Sequence, residues 1–142
     1  MGFMPKPGHN KFKVSPKADR THAGKVYASK AEMFFARMLA MMLANGEVLS
    51  VVEQPRVTLL DAPKHKDRIV YVPDFLVTYK GGEVMYIDVK GMLTPEFKLK
   101  LKLWIDHGPG KLRLVKQSGK PNKFTGLPKF KDAGTFGPGV SK

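Results

Sequence analysis

Cysteine is absent from the 142-residue sequence, and long apolar runs are absent as well. Without cysteine the chain forms no disulfide bond and holds no metal ion through thiolates. No apolar run approaches the roughly 18 residues that a transmembrane helix needs, and the N-terminus lacks the apolar core of a signal peptide. These absences predict a soluble cytoplasmic protein without a membrane partner.

Acidic residues are also scarce, because 12 Asp and Glu stand against 25 Lys and Arg, for a formal net charge of +13. A balance this basic favours a polyanionic partner, above all nucleic acid. The alternative is a solvated basic surface on an ordinary soluble protein. The length of the chain suits one domain with a modest core.

Much of the positive charge lies at the two ends of the chain. Residues 1–28 carry six basic residues against one acid and show no helical or strand period, which predicts a flexible basic arm. Residues 117–142 carry five lysines against one acid and are dense in Gly and Pro, with three spaced phenylalanines. They are predicted as a basic tail, which either stacks on bases or is fastened onto the domain. Residues 29–116 remain as the folded core.

Two predicted strands joined by a tight turn lie at the centre of that core. The runs Ile69–Tyr79 and Val84–Val89 are rich in β-branched and aromatic residues, as strands usually are. Lys80-Gly81-Gly82 separates them, and paired glycines permit the positive φ angles of a hairpin turn.

Each strand carries one acid, and the hairpin register decides whether the two acids meet. A three-residue loop pairs Tyr79 with Glu83 and places Asp74 directly opposite Asp88, whereas a two-residue loop turns Asp74 to the other face. Lys90 shares the face of Asp88 because it follows two residues later. Opposed carboxylates repel each other, but Mg²⁺ or Mn²⁺ would convert them into a metal site.

Pro73-Asp74 followed by Asp88-Val89-Lys90 resembles the motif of PD-(D/E)xK nucleases. The order of elements over residues 29–116 extends the resemblance, and the layout is similar to small phage-encoded nucleases and endonuclease I-type Holliday-junction resolvases. The resemblance implies an α/β fold: a restriction-endonuclease-like αβββαβ core with an α+β mixed sheet and flexible basic termini.

The first helix of that core is predicted after Ser29, since Ser29 and Glu32 have the spacing of a capping box. Asn45-Gly46 ends the helix. Glu32 either only caps the helix or, as the resemblance implies, is the upstream acid of the metal site. A single strand, Glu47–Leu60, is predicted next, with Pro55 marking an edge, a bulge or a break.

Gln54, just before that proline, either supports the site or faces solvent. A second helix is predicted from Thr94-Pro95. The strict alternation of residues 97–104 is typical of a strand. However, a parallel strand at residues 111–116 requires a crossover, which a helix usually provides.

The resemblance implies a Mg²⁺-dependent endodeoxyribonuclease, with Mn²⁺ as the alternative ion. Glu32, Asp74, Asp88 and the carbonyl of Val89 would hold the metal, and Lys90 would hold the attacking water or neutralise the phosphate. Two rivals stay open at this point. One is a basic nucleic-acid-binding protein without catalysis, and the other is a nuclease-fold subunit of a phage DNA-processing assembly.

Further basic residues are candidates for DNA contact on either side of the hairpin. Those in the polar loop before it are Lys64, Lys66 and Arg68, and those on the second helix are Lys98, Lys100 and Lys102. The alternative for the helix is a solvated lysine face. The expected partner is duplex or branched DNA, and symmetric cutting of two strands favours a homodimer. Linear ends, nicked duplexes, junctions and single strands all remain open as substrates.

Overall fold

The computed structural model of the chain describes residues 14–61 and 68–140. Within these residues, no helix is long and apolar enough to cross a membrane. In chain order the elements are a 3-10 helix Lys17–Arg20, β1 Thr21–His22, β2 Lys25–Val26, α1 Lys30–Ala44, β3 Val48–Glu53, β4 Val57–Leu60, β5 Ile69–Tyr71, β6 Phe75–Tyr79, β7 Val84–Val89, α2 Pro95–His107, β8 Leu112–Ser118 and β9 Lys129–Phe136.

A five-stranded mixed sheet forms the centre of the fold, in the order β3-β6-β7-β8-β9. Neighbouring strands are antiparallel except β7 and β8, which are parallel and joined through α2. The helices cover opposite faces of the sheet, since Ile87 packs in the core cluster with α1 and its neighbour Tyr86 packs against the cluster with α2. Successive strand residues point to opposite faces. The predicted α+β class with a mixed sheet is therefore confirmed.

Both helices form as predicted, and each is capped by a side chain. The Ser29 hydroxyl accepts a hydrogen bond from the Glu32 N–H at 3.1 Å, and the Thr94 hydroxyl accepts one from the Phe97 N–H at 3.1 Å. Trp104 of α2 is completely buried and its indole N–H donates to the carbonyl of Gly110 at 2.9 Å. Burial of each large apolar side chain contributes about 1.5–3 kcal/mol, and this packing overrides the alternating pattern of the sequence.

Both long strands predicted before residue 80 are interrupted at a proline: the break at Pro55 is one of the predicted alternatives, whereas the prediction of one continuous strand over residues 69–79 is wrong. Residues 47–60 form β3 and β4, with Gln54 at a left-handed φ of 51° just before Pro55. Residues 69–79 form β5 and β6 on either side of Pro73. Proline cannot donate to the ladder of a central strand. The chain therefore leaves the main sheet after β3, makes the separate β4-β5 sheet, and returns as β6.

The prediction of a flexible arm does not describe residues 17–27. They form the 3-10 helix and the β1-β2 hairpin, and Tyr27 is only 5% exposed in the core cluster with α1. The burial of this ring fixes the segment to the domain. The first thirteen residues lie outside the described part of the chain.

The predicted tail is also partly a strand, because β9 extends the main sheet beside β8. Phe130 packs edge-on against Phe35 with the ring centroids 5.0 Å apart, and Phe136 packs against the cluster with α2. Phe124 is 95% exposed. Two of the three phenylalanines therefore fasten the C-terminal segment onto the domain, so it is not a flexible terminus over residues 129–136.

Candidate functional site

The β6-β7 hairpin adopts the three-residue loop. The N–H of Tyr79 donates to the carbonyl of Glu83 at 2.8 Å, and Phe75 pairs with Ile87. Gly81 and Gly82 have φ angles of 105° and 95°, which glycine adopts without steric cost. The predicted register is confirmed.

This register brings Asp74 and Asp88 together, one residue beyond the Phe75–Ile87 pair. Oδ2 of Asp74 accepts a hydrogen bond from the N–H of Val89 at 2.8 Å. Asp88 is 3% exposed, and its Oδ2 lies 3.2 Å from Nζ of Lys90. The structure therefore assembles two acids and a lysine at the end of the hairpin, as the sequence predicts.

Burial sets the protonation of this acid pair. It raises the pKa of Asp74 to about 6, although the hydrogen bond from Val89 and the charge of Lys90 act in the opposite direction. It also raises the pKa of Asp88 to about 6, against the opposing effect of the Lys90 ammonium. One lysine therefore does not compensate the two buried carboxylates, and the pair favours a further cation or a proton.

Glu32, in the first turn of α1, lies within electrostatic range of the same two aspartates. The side chain is buried at 5% exposure. Burial, together with the negative charges of Asp74 and Asp88, raises the pKa of Glu32 to about 7. The N-cap bond uses the backbone N–H of Glu32 and not its carboxylate, so capping alone does not explain why this acid is buried.

The donor set suits Mg²⁺ but does not form a closed metal cage. Within residues 14–61 and 68–140, no group of three or more His, Cys, Asp or Glu side chains is placed to hold a metal ion. Mg²⁺ commonly binds one or two carboxylates and completes its shell with water and substrate phosphates. Asp74 and Asp88 fit that mode, while the predicted ligand roles of Glu32 and the Val89 carbonyl stay predictions.

A second acidic centre next to the site was missed by the sequence analysis. Glu53, at the end of β3, accepts hydrogen bonds from Nζ of Lys25 at 2.7 Å and from the hydroxyl of Tyr27 at 2.6 Å. Burial would raise the pKa of Glu53, but these two bonds outweigh it and the pKa falls below the usual value. Ala23-Gly24 at the tip of the β1-β2 hairpin is a local turn signal, yet no local pattern links this hairpin to Glu53.

Gln54, the residue after Glu53, touches the site through its backbone. Its N–H donates to the carbonyl of Asp74 at 2.9 Å, and the residue is exposed. Gln54 thus ties the end of β3 to the start of β6, where the first acid of the pair lies.

The predicted DNA-binding residues separate into three groups. Lys64 and Lys66 lie outside the described residues. Arg68 is exposed, with Nε 3.4 Å from Oδ1 of Asp61. On α2, Lys98 and Lys102 are exposed, whereas Lys100 is half-buried and lines the cavity that Lys90 also lines.

Comparison with known proteins places these features in a family. A search of curated proteins found no match. One family model matches residues 17–123, which include α1, the hairpin, α2 and β8. The match begins at the 3-10 helix, so it includes the N-terminal β1-β2 hairpin. The chain belongs to DUF1064, a family of proteins of unknown function.

Proposed function

We propose that the chain is a metal-dependent endodeoxyribonuclease that hydrolyses phosphodiester bonds in DNA. The observation that carries the proposal is the hairpin register: it pairs Phe75 with Ile87, so Asp74, which precedes Phe75, lies near Asp88 and Lys90. A purely structural strand pair gains little from two carboxylates whose burial raises the pKa of each to about 6, because burying a charge without full compensation costs free energy.

The acidic and the basic residues have different roles in the proposed reaction. Asp74 and Asp88 supply oxygen ligands, and Mg²⁺ bound there would stabilise charge on the phosphate and lower the pKa of a water molecule. Lys90 holds a positive charge 3.2 Å from Asp88, where it stabilises negative charge on the phosphate oxygens or orients the attacking water. Glu32 adds a buried acid within electrostatic range of both aspartates.

The elements around the site support the restriction-endonuclease-like layout as part of the proposal. Residues 30–118 give α1, β3, β6, β7, α2 and β8, with β4 and β5 inserted between the first two strands of the sheet. The net charge of +13 favours DNA as the substrate. A phage origin and a role in recombination, junction resolution or DNA processing in the bacterial cytoplasm complete the proposal.

The test is a Mg²⁺-dependent cleavage panel on labelled linear, flap and four-way-junction DNA. We expect the parent protein to cut at least one substrate, and Lys90→Ala to lose roughly 100-fold or more in rate through lost charge stabilisation. Lys80→Ala is the matched control, because Lys80 is exposed at the turn of the same hairpin. A Lys90→Ala protein that cuts at the parental rate contradicts the assignment.

A second function, DNA binding without catalysis, is favoured by the net charge of +13, which suits a polyanionic partner whether or not the acids bind a metal ion. Here the parent binds DNA in the absence of metal, and Mg²⁺ changes neither its melting temperature nor the DNA. A nuclease-fold subunit of a larger assembly is distinguished by a third outcome. Mg²⁺ raises the melting temperature through ligand linkage, yet the isolated chain does not cut.

A further inference from the structure

A cavity of about 300 Å³ opens beside the acid pair, between β5 and the start of α2. Its apolar wall comes from β5 and Phe97, and its polar lining groups are Lys90, Thr94, Glu96 and Lys100. Two lysines thus line one cavity, and one of them is the lysine of the candidate active site.

We propose that this cavity holds a second backbone phosphate of the DNA, adjacent to the phosphate at the acid pair. The proposal rests on the proposed function and adds a subsite to it. Lys90 connects the two positions, because its ammonium lies 3.2 Å from Oδ2 of Asp88 and 3.9 Å from the centre of the Phe97 ring. The cavity and Asp88 are therefore separated by a single side chain, that of Lys90.

Helix geometry selects Lys100 from the three lysines of α2. Residues on a helix are about 100° apart, so Lys100 lies near the direction of Phe97 and Trp104, which are the buried residues of α2. Lys98 and Lys102 lie on the opposite face and are exposed. Lys100 is the member of the three that lines the cavity, while the other two are turned toward solvent.

In the DNA-free structure, the carboxylate of Glu96 forms an ion pair with the ammonium of Lys100. Oε1 of Glu96 lies 3.2 Å from Nζ of Lys100, and the glutamate side chain is 77% exposed. An exposed pair of this kind contributes little to stability, so a phosphate can replace it at Lys100. Thr94 is the N-cap residue of α2, and the helix dipole also favours an anion at this end of the helix.

The experiment measures duplex DNA binding in metal-free buffer between about 50 and 200 mM salt, together with KM for Mg²⁺-dependent cleavage. We expect Lys100→Met to weaken binding about ten-fold, as loss of one charged contact does, and to flatten the salt slope by about 0.9. KM rises and kcat is maintained. Lys98→Met and Lys102→Met are the matched comparisons, for which we expect a smaller rise in KM than for Lys100→Met because neither lysine lines the cavity, while Lys100→Arg keeps most of the affinity.

Glu96→Gln provides the opposite change. Releasing Lys100 from its carboxylate should tighten DNA binding, whereas Asp106→Asn, an exposed acid near the other end of α2, should leave it unchanged. Equal effects of the three Lys→Met variants, or equal effects of the two acid variants, would overturn the subsite.

The outcomes separate the subsite from the nuclease. If the parent cuts DNA and Lys100→Met behaves like Lys98→Met, the subsite is wrong and the nuclease assignment is retained. If the parent binds DNA without cutting it and Lys100→Met alone weakens binding, the subsite is retained and the nuclease assignment is wrong. A parent that binds no DNA overturns both.

Discussion

Two glutamates in the same region of the fold have opposite environments. Glu53 accepts hydrogen bonds from Lys25 and Tyr27, and its pKa is held below the usual value. Glu32 is buried, repelled by Asp74 and Asp88, and its pKa is raised to about 7. The first acid is satisfied by the protein itself and joins the N-terminal hairpin to the sheet. The second acid lacks such compensation. Uncompensated buried acids with raised pKa values are typical of functional sites.

The largest effect is expected from removing one negative charge of the buried acids Glu32, Asp74 and Asp88. Asp88→Asn should lower cleavage by roughly 100-fold or more, because the site loses a charged oxygen ligand. The metal-free protein should melt at the same temperature or higher, since a buried negative charge, whose burial raises the pKa of Asp88 to about 6, is removed. Mg²⁺ should no longer raise the melting temperature.

Melting curves with and without Mg²⁺, run beside the cleavage assay, check this prediction. A metal-free Asp88→Asn protein that melts well below the parent would show that Asp88 has a structural role instead, like that of Glu53.

The next effect is the pH dependence of the metal-free protein. Glu32, Asp74 and Asp88 have folded pKa values of about 7, 6 and 6, above their ordinary values. The folded state therefore binds more protons than the unfolded state between about pH 4 and 7, and the free energy of unfolding falls as pH rises through this range. Together the three groups give an expected loss on the order of 5 kcal/mol between pH 5 and 8.

Urea unfolding at a series of pH values measures this loss. The Glu32→Gln variant is the comparison, because it should remove the part of the pH dependence with a midpoint near 7. The same slope in parent and variant would contradict the raised pKa of Glu32.

A smaller effect compares the two glutamates through the same isosteric change. Glu53→Gln should lower the free energy of unfolding by about 1 kcal/mol, because Lys25 and Tyr27 lose a charged acceptor. Glu32→Gln should leave the metal-free protein as stable as the parent or more stable, since a buried charge is removed. Thermal melts at neutral pH measure both variants. If both substitutions lowered the melting temperature, Glu32 and Glu53 would not differ in environment as described.

The smallest effect is expected for Lys25→Met. Tyr27 still donates to Glu53 at 2.6 Å, and the Lys25–Glu53 pair is about one-third exposed on each side. We therefore expect a loss below about 1 kcal/mol, smaller than that of Glu53→Gln in the same melting assay. A larger loss would identify the lysine, rather than the tyrosine, as the main partner of Glu53.

The acid pair was predictable because its geometry is local. A loop of three residues fixes the register of β6 and β7, and the register then fixes the positions of Asp74, Asp88 and Lys90. A proline at the first helical position and the crossover needed before a parallel strand were enough to predict α2 as a helix. In both cases the decisive contacts join residues that are close in sequence or constrained by connectivity.

The remaining features depend on contacts between distant parts of the chain. Glu53 meets the Lys25–Tyr27 segment only after the N-terminal hairpin folds back on the sheet. The burial of Tyr27 and the pairing of β9 with β8 require the finished core. Basic, glycine-rich composition predicted flexible ends, and tertiary packing overrode that tendency over residues 17–27 and 129–136.

The excursion between β3 and β6 has a consequence for protein engineering. Its two ends are held together, because Glu53 pairs with Phe75 and the N–H of Gln54 donates to the carbonyl of Asp74. Added length between Asp61 and Arg68 would therefore leave the main sheet in register and cost little loop entropy. A reporter peptide or an extra DNA-binding module inserted there would leave the pairing of β3 with β6 unchanged, and with it the acid at the start of β6. The chain thus offers a natural grafting point outside the main sheet.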